Sequence, residues 1–163
     1  MRKKRERTFA EKAYTTTQLD CGYTQDQIVK MLQEIGITKI RINREGEDYS
    51  LEFLAQVRRG EAPRHVKINV PYTPELDDTV KQKQQKKNVL FRVLFYHLKD
   101  KFVAIDRGLK EFEQEFLSDL MVESDGVKVR LGDLIVPKYK EMLKEGQVAV
   151  FRIKGKNNEG DNN

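Results

Sequence analysis

The stretch Asn88–Gly126, NVLFRVLFYHLKDKFVAIDRGLKEFEQEFLSDLMVESDG, constrains this chain's fold more than any other. Leu90, Leu94, Leu98 and Phe102 recur every fourth residue, with Val93, His97, Lys101 and Ile105 alongside. That spacing places an apolar stripe on one side of a long helix. Gly108 breaks the run, and Leu109, Phe112, Phe116 and Leu120 restart it as a shorter helix with its own stripe. Ser124-Asp125-Gly126 then closes a tight turn. A helix with one apolar face is stable only when that face is buried, so the rest of the chain must supply a cover.

The preceding residues supply it. Thr24 and Gln27 have the capping-box spacing, and Ile28, Met31, Leu32 and Ile35 follow at helical intervals until Gly36. Three alternating runs come next: Thr38–Asn43, Tyr49–Val57 and a third carrying Val66, Ile68 and Val70, which Pro71 stops. The turns between them hold Gly46 and Gly60-Pro63 segments, which predicts an antiparallel meander with one buried face. Tyr14–Gln18 is rich in threonine and reads as a short added strand. Asp77 or Asp78 is placed to cap the long helix, expected over Val80–Ile105. Beyond the second helix, Met121-Val122 and Val127–Val129 flank the Asp-Gly turn as strands. Leu131–Leu143 reads as a last helix with Pro137 near its first turn, and Val148–Ile153 as a strand or tethered extension.

The expected fold class is therefore α+β: a helix, a three-stranded antiparallel meander, a long helix and C-terminal helices around an αβββα-like core. Residues 1–13 read as a flexible basic arm, 14–153 as a single domain and 154–163 as a disordered tail. The element order resembles the connectivity of double-stranded-RNA-binding domains, and its βββα part that of recombination annealing proteins. The likeness is one of topology, without the motif residues of the former, and fold alone carries no function.

Residues 90–126 also resemble a family of small, uncharacterised bacteriophage and prophage proteins. Its members carry a lysine-bearing helix, a stretch like AIDRGLKEFEQEFLSDL, an Asp-Gly turn and a closing helix. The matching residues here are Lys99, Lys101, Ala104, Gly108, Phe112, Glu113, Glu115, Phe116, Leu117, Asp125, Gly126 and Pro137. The preceding helix and meander match by pattern only, so the likeness spans roughly residues 24–145. It implies a mobile-element setting and carries no catalytic residue.

Charge is the strongest lead to function. Residues 1–7 hold five basic side chains and one acidic, so most of the net charge of +5 sits in Arg2, Lys3, Lys4, Arg5 and Arg7. A short basic arm contacts nucleic-acid phosphates or simply keeps a terminus soluble. Residues 77–101 carry seven basic and three acidic side chains, and 106–125 two basic and seven acidic. Lys81, Lys83, Lys86 and Lys87 alternate with glutamines in a helical start that lacks an apolar stripe. With Arg58, Arg59, Arg64 and Lys67 of the meander they are expected either to extend one positive surface or to form an ordinary solvated face.

Other constellations are weaker. Nucleases bind magnesium with two or three carboxylates, and Glu111 and Glu115 are four apart and share a helix face, yet no Asp-x-Asp or Glu-x-Lys pattern is set on a strand end. His65 and His97 have no nucleophile and carboxylate partners in pattern. Glycine-rich phosphate loops are absent. One cysteine, Cys21, excludes an internal disulfide and fits a reducing cytoplasm, the host's if the source is viral. No apolar run is long enough to span a membrane, and the charged start lacks the apolar stretch of a signal peptide. No catalytic residue, metal or cofactor is expected. The sequence thus points to non-catalytic, electrostatic nucleic-acid binding. The alternative is an adaptor, inhibitor or assembly module that uses the long helix, as a homo-oligomer or with a protein partner, or the acidic segment 106–125.

Overall fold

A computed structural model describes Tyr14 and residues 17–144. The order is α1 (Cys21–Glu34), β1 (Lys39–Glu45), β2 (Asp48–Ala55), β3 (Arg64–Val70), α2 (Val80–Asp106), α3 (Phe112–Glu115), a 3-10 turn (Leu117–Asp119), β4 (Met121–Ser124), β5 (Val127–Arg130) and α4 (Leu131–Lys144). This is the α+β class, with two antiparallel sheets ordered β1-β2-β3 and β4-β5.

The meander forms because alternation puts one set of side chains on each face. Ile40 pairs with Phe53 and Phe53 with Val66, while Ile42 pairs with Leu51 and Leu51 with Ile68. These residues form the inner face, which α1 and α2 cover together. Ile28 and Leu32 of α1 meet Phe91, Leu94 and Leu98 of α2 over that face, all of them buried. The apolar stripe of the long helix is thus used up in the core. Fully burying each such side chain contributes about 1.5–3 kcal/mol before entropy is counted.

The two helices run alongside in the same sense. Asn88 Oδ1 accepts from the Cys21 amide at 3.0 Å, and one turn further Arg92 donates to Gln27 Oε1 at 2.8 Å. The β1–β2 turn lies at the start of α2: Asp48 Oδ1 accepts from the Tyr72 amide at 2.8 Å, and the Tyr72 hydroxyl donates to the Lys83 carbonyl at 3.1 Å. The β2–β3 turn lies at the far end, where Arg64 reaches Glu113 beyond α2. α2 has 27 residues, so these ends are about 40 Å apart.

Several expected boundaries shift. α1 begins at Cys21, capped by Asp20, whose carboxylate accepts from the Gly22 amide at 2.7 Å. Thr24 instead lies buried in the helix and donates to the Asp20 carbonyl. α2 is capped by Thr79 and Gln82 rather than by Asp77 or Asp78, because Thr79 can share a reciprocal capping box while Asp78 pairs with Lys86. Thr17 and Gln18 carry no strand. The single short helix expected over Leu109–Leu120 is a four-residue turn and a 3-10 turn, with Leu109 exposed and Leu120 bridged to Val66 of β3. That bridge draws the chain out of helix and seats the β4-β5 hairpin beside the main sheet. Pro137 is the seventh residue of α4, not in its first turn, and removes one backbone donor there. Val148–Ile153 and residues 154–163 lie outside the described residues. No helix among the described residues is long and apolar enough to cross a membrane.

Candidate nucleic-acid interface

The first half of α2 gathers the side chains that can meet an anionic polymer. Lys81, Gln85, Arg92 and Tyr96 fall on one stripe of the helix, spaced four, seven and four residues apart. The entering chain crosses this stripe: Gln85 Nε2 donates to the Thr17 carbonyl at 3.0 Å, and the Tyr14 ring stacks on Tyr96 with centroids 5.1 Å apart and planes 8° from parallel. The basic arm therefore joins the described chain against α2. Its own residues Arg2, Lys3, Lys4, Arg5 and Arg7 lie outside the described residues.

Arg92 is held over the Tyr96 ring. Its guanidinium carbon is 4.9 Å from the Tyr96 ring centre and 5.1 Å from that of Phe95. One terminal nitrogen donates to Gln27 Oε1 at 2.8 Å and the other to the Tyr96 hydroxyl at 3.1 Å. Gln27 in turn donates to the Tyr23 hydroxyl at 3.5 Å. Among the described residues no carboxylate lies within ion-pair distance of Arg92. In the sequence, Tyr23/Gln27 and Arg92/Tyr96 are two separate i, i+4 pairs, and Tyr14 stands apart from both. Only the packing of α1 on α2 joins them.

The other expected cations divide. Lys81 and Lys83 have no carboxylate within ion-pair distance among the described residues, nor has Lys87, whose ammonium lies 5.3 Å over the Tyr72 ring. Lys86 does: it meets Asp78 at 2.6 Å and Glu75 at 3.7 Å. The Lys86 hydrogen bond holds the Asp78 carboxyl below its usual range, and Asp78 in return raises Lys86.

Arg58, Arg59 and Arg64 are not brought to this region. They lie in or beside the β2–β3 turn at the opposite end of α2. Arg58 meets Glu61 at 3.6 Å, and Arg64 is pinned between Glu61 at 2.6 Å and Glu113 at 2.9 Å; only Arg59 has no carboxylate within ion-pair distance among the described residues. The hydrogen bonds to Glu61 and Glu113 raise the Arg64 pKa. Lys67 sits on the outer sheet face between Glu45 at 2.9 Å and Glu52 at 3.7 Å.

Three carboxylates of the acidic segment are engaged within the fold. Glu113 pairs with Arg64, Glu115 with Lys101 and Lys110, and Asp119 lies 3.9 Å from Arg130. Glu111 precedes α3, where its amide donates to Gln114 Oε1 at 2.9 Å. Glu111 caps the single turn of α3 and Glu115 ends it, the Glu115 amide donating to the Glu111 carbonyl at 3.1 Å, while the Glu115 carboxylate is taken up by Lys101 and Lys110. Among the described residues no three His, Cys, Asp or Glu side chains gather as metal ligands would. Comparison with protein-family models, curated proteins and solved structures finds no match for this chain.

Proposed function

We propose that the chain is a non-catalytic nucleic-acid-binding protein, in the mobile-element setting its resemblance implies. The observation that carries this reading is the set Lys81, Lys83, Lys87 and Arg92. These four cations lie on the first half of α2, free of carboxylate partners among the described residues: Lys81 and Arg92 on the stripe that the entering chain crosses, Lys83 and Lys87 on the opposite side of the helix, beside Tyr72. Cations balanced by carboxylates lose most of their attraction for a phosphate, and Arg58, Arg64, Lys67 and Lys86 are balanced in this way. Arg2, Lys3, Lys4, Arg5 and Arg7 add sequence-independent contacts from the arm.

Salt dependence tests the reading. Affinity for oligonucleotides falls linearly with salt on logarithmic axes, and removing one phosphate-bound lysine reduces that slope by about 0.7–0.9. The combined Lys81→Gln, Lys83→Gln and Lys87→Gln variant flattens the slope, as does deletion of residues 1–7. If the full chain retains no oligonucleotide at low salt, the reading is wrong.

A second reading, a protein-interaction module, is favoured by α4 rather than by the long helix or the acidic segment. Leu134, Ile135, Tyr139 and Met142 of α4 are each 36–55% exposed, and no residue of that helix is buried among the described residues. An amphipathic helix with its apolar side open is a docking surface for a second helix. Sedimentation distinguishes the cases: a monomer at every concentration counts against self-association through α4.

A further inference from the structure

We infer that Tyr96 and Arg92 form a stacking platform for a base of single-stranded nucleic acid, which Tyr14 covers in the free chain. This rests on the nucleic-acid reading above and adds what phosphate contacts cannot supply, recognition of the base itself.

Three observations converge. First, Arg92 lies against the Tyr96 and Phe95 rings, hydrogen-bonded through Gln27 and Tyr96 but with no carboxylate within ion-pair distance among the described residues. A half-buried cation without a counterion, pre-oriented beside an aromatic ring, suits a nucleotide, whose phosphate meets the charge while its base meets the ring.

Second, the face of Tyr96 is already in a stack. Tyr14 lies parallel to it, 5.1 Å between centroids, yet remains 41% exposed. Tyr14 also has φ +55°, a backbone conformation unfavourable for a residue with a side chain. The covering ring is thus held at a local conformational cost, and a purine or pyrimidine offers the same planar contact without it.

Third, the platform is extended on both sides. Tyr23, 54% exposed, is linked to Arg92 through Gln27, so a second ring lies one side chain away on α1. Lys81 and Gln85 continue the α2 stripe toward its start, where phosphates of the same strand would run. Duplex bases are stacked on one another and cannot present a free face, so the platform selects single strands.

Fluorescence anisotropy of the full chain tests this with three labelled probes of equal length: an oligothymidylate, an abasic single strand and a duplex. The native protein is expected to hold the oligothymidylate about ten-fold more tightly than the abasic strand, which carries the same phosphates. Tyr96→Ala abolishes that difference without changing the salt slope, Tyr96→Phe restores it, and Tyr14→Ala increases affinity for the oligothymidylate. Equal affinity for thymidylate and abasic strands, a preference for the duplex, or a difference that survives Tyr96→Ala overturns the platform and leaves the phosphate-binding reading standing. Failure to bind all three probes at low salt overturns both.

Discussion

Lys101 of α2 is held against Glu115 of α3. Its ammonium lies 3.4 Å from Glu115 Oε2, donates also to the Glu115 carbonyl, and sits 5.1 Å over the Phe116 ring. Both side chains are largely enclosed, 13% and 11% exposed. The Phe-Glu-x-Glu-Phe stretch is thereby explained as a fastener. Phe112 and Phe116 enter the core, Glu113 holds Arg64, and Glu115 holds Lys101 and Lys110. Lys101→Met is expected to lower Tm by several degrees, because it removes both the ion pair and the bond to a carbonyl. Glu115→Gln costs less, since the carbonyl remains as an acceptor. The two changes together cost less than their sum. Thermal unfolding followed by circular dichroism measures all three.

At Gly132, α4 comes close to the backbone of the 3-10 turn. A Cβ there would lie 2.6 Å from the Ser118 carbonyl oxygen, a backbone atom that cannot swing away. Gly132→Ala should therefore destabilise by about 1–3 kcal/mol in urea titration. If the proposed contacts on the first half of α2 hold nucleic acid, oligonucleotide affinity should be unchanged.

Acid should weaken the fold in two stages. His97 is held below its ordinary value by the packing around its ring first and by Lys101 second, although the residue as a whole is exposed. Its folded form resists protonation, so its contribution is present above about pH 6.5 and is lost as pH falls toward the lower folded value. Asp78, Glu113, Glu115 and Asp133 are all lowered: Asp78 first by Lys86, Glu113 first by a backbone hydrogen bond and then by Arg64, Glu115 first by Lys110, and Asp133 first by Arg130. Their contribution is present above about pH 4 and lost below it as each folded carboxylate takes a proton. Asp119 acts in the opposite sense, because burial raises it and protonation relieves the folded state. The urea midpoint should decline from pH 7 to pH 3, and more steeply in Asp119→Asn.

Arg64 and Lys83 separate fold from function. Arg64→Ala leaves Glu113 without its partner and is expected to lower the urea midpoint while the salt slope of oligonucleotide binding stays as it was. Lys83→Gln, at the other end of α2, should leave the midpoint unchanged within about 0.5 kcal/mol and flatten the slope. A flattened slope in Arg64→Ala would place the β2–β3 turn in the interface.

Hydrophobic periodicity carried most of the architecture, because burial of one face is a property of spacing along the chain. The meander, the length of α2 and the β4-β5 hairpin are legible in that way. What spacing cannot carry is which charges meet. Lys86 and Arg64 looked like free cations beside Lys81 and Lys83, and only the folded chain sets Asp78 against one and Glu113 against the other. The Leu109–Leu120 stripe read as helix for the same reason: periodicity ignores the pairing of Leu120 with Val66, which competes successfully for that backbone. The cluster of Tyr14, Tyr23, Arg92 and Tyr96 likewise exists only because α1 runs beside α2 in the same sense. Apolar pattern along the chain therefore determined the elements and their inward faces, whereas the partners of each charge and ring were decided by tertiary packing, since electrostatic and stacking contacts act through space between residues distant in sequence.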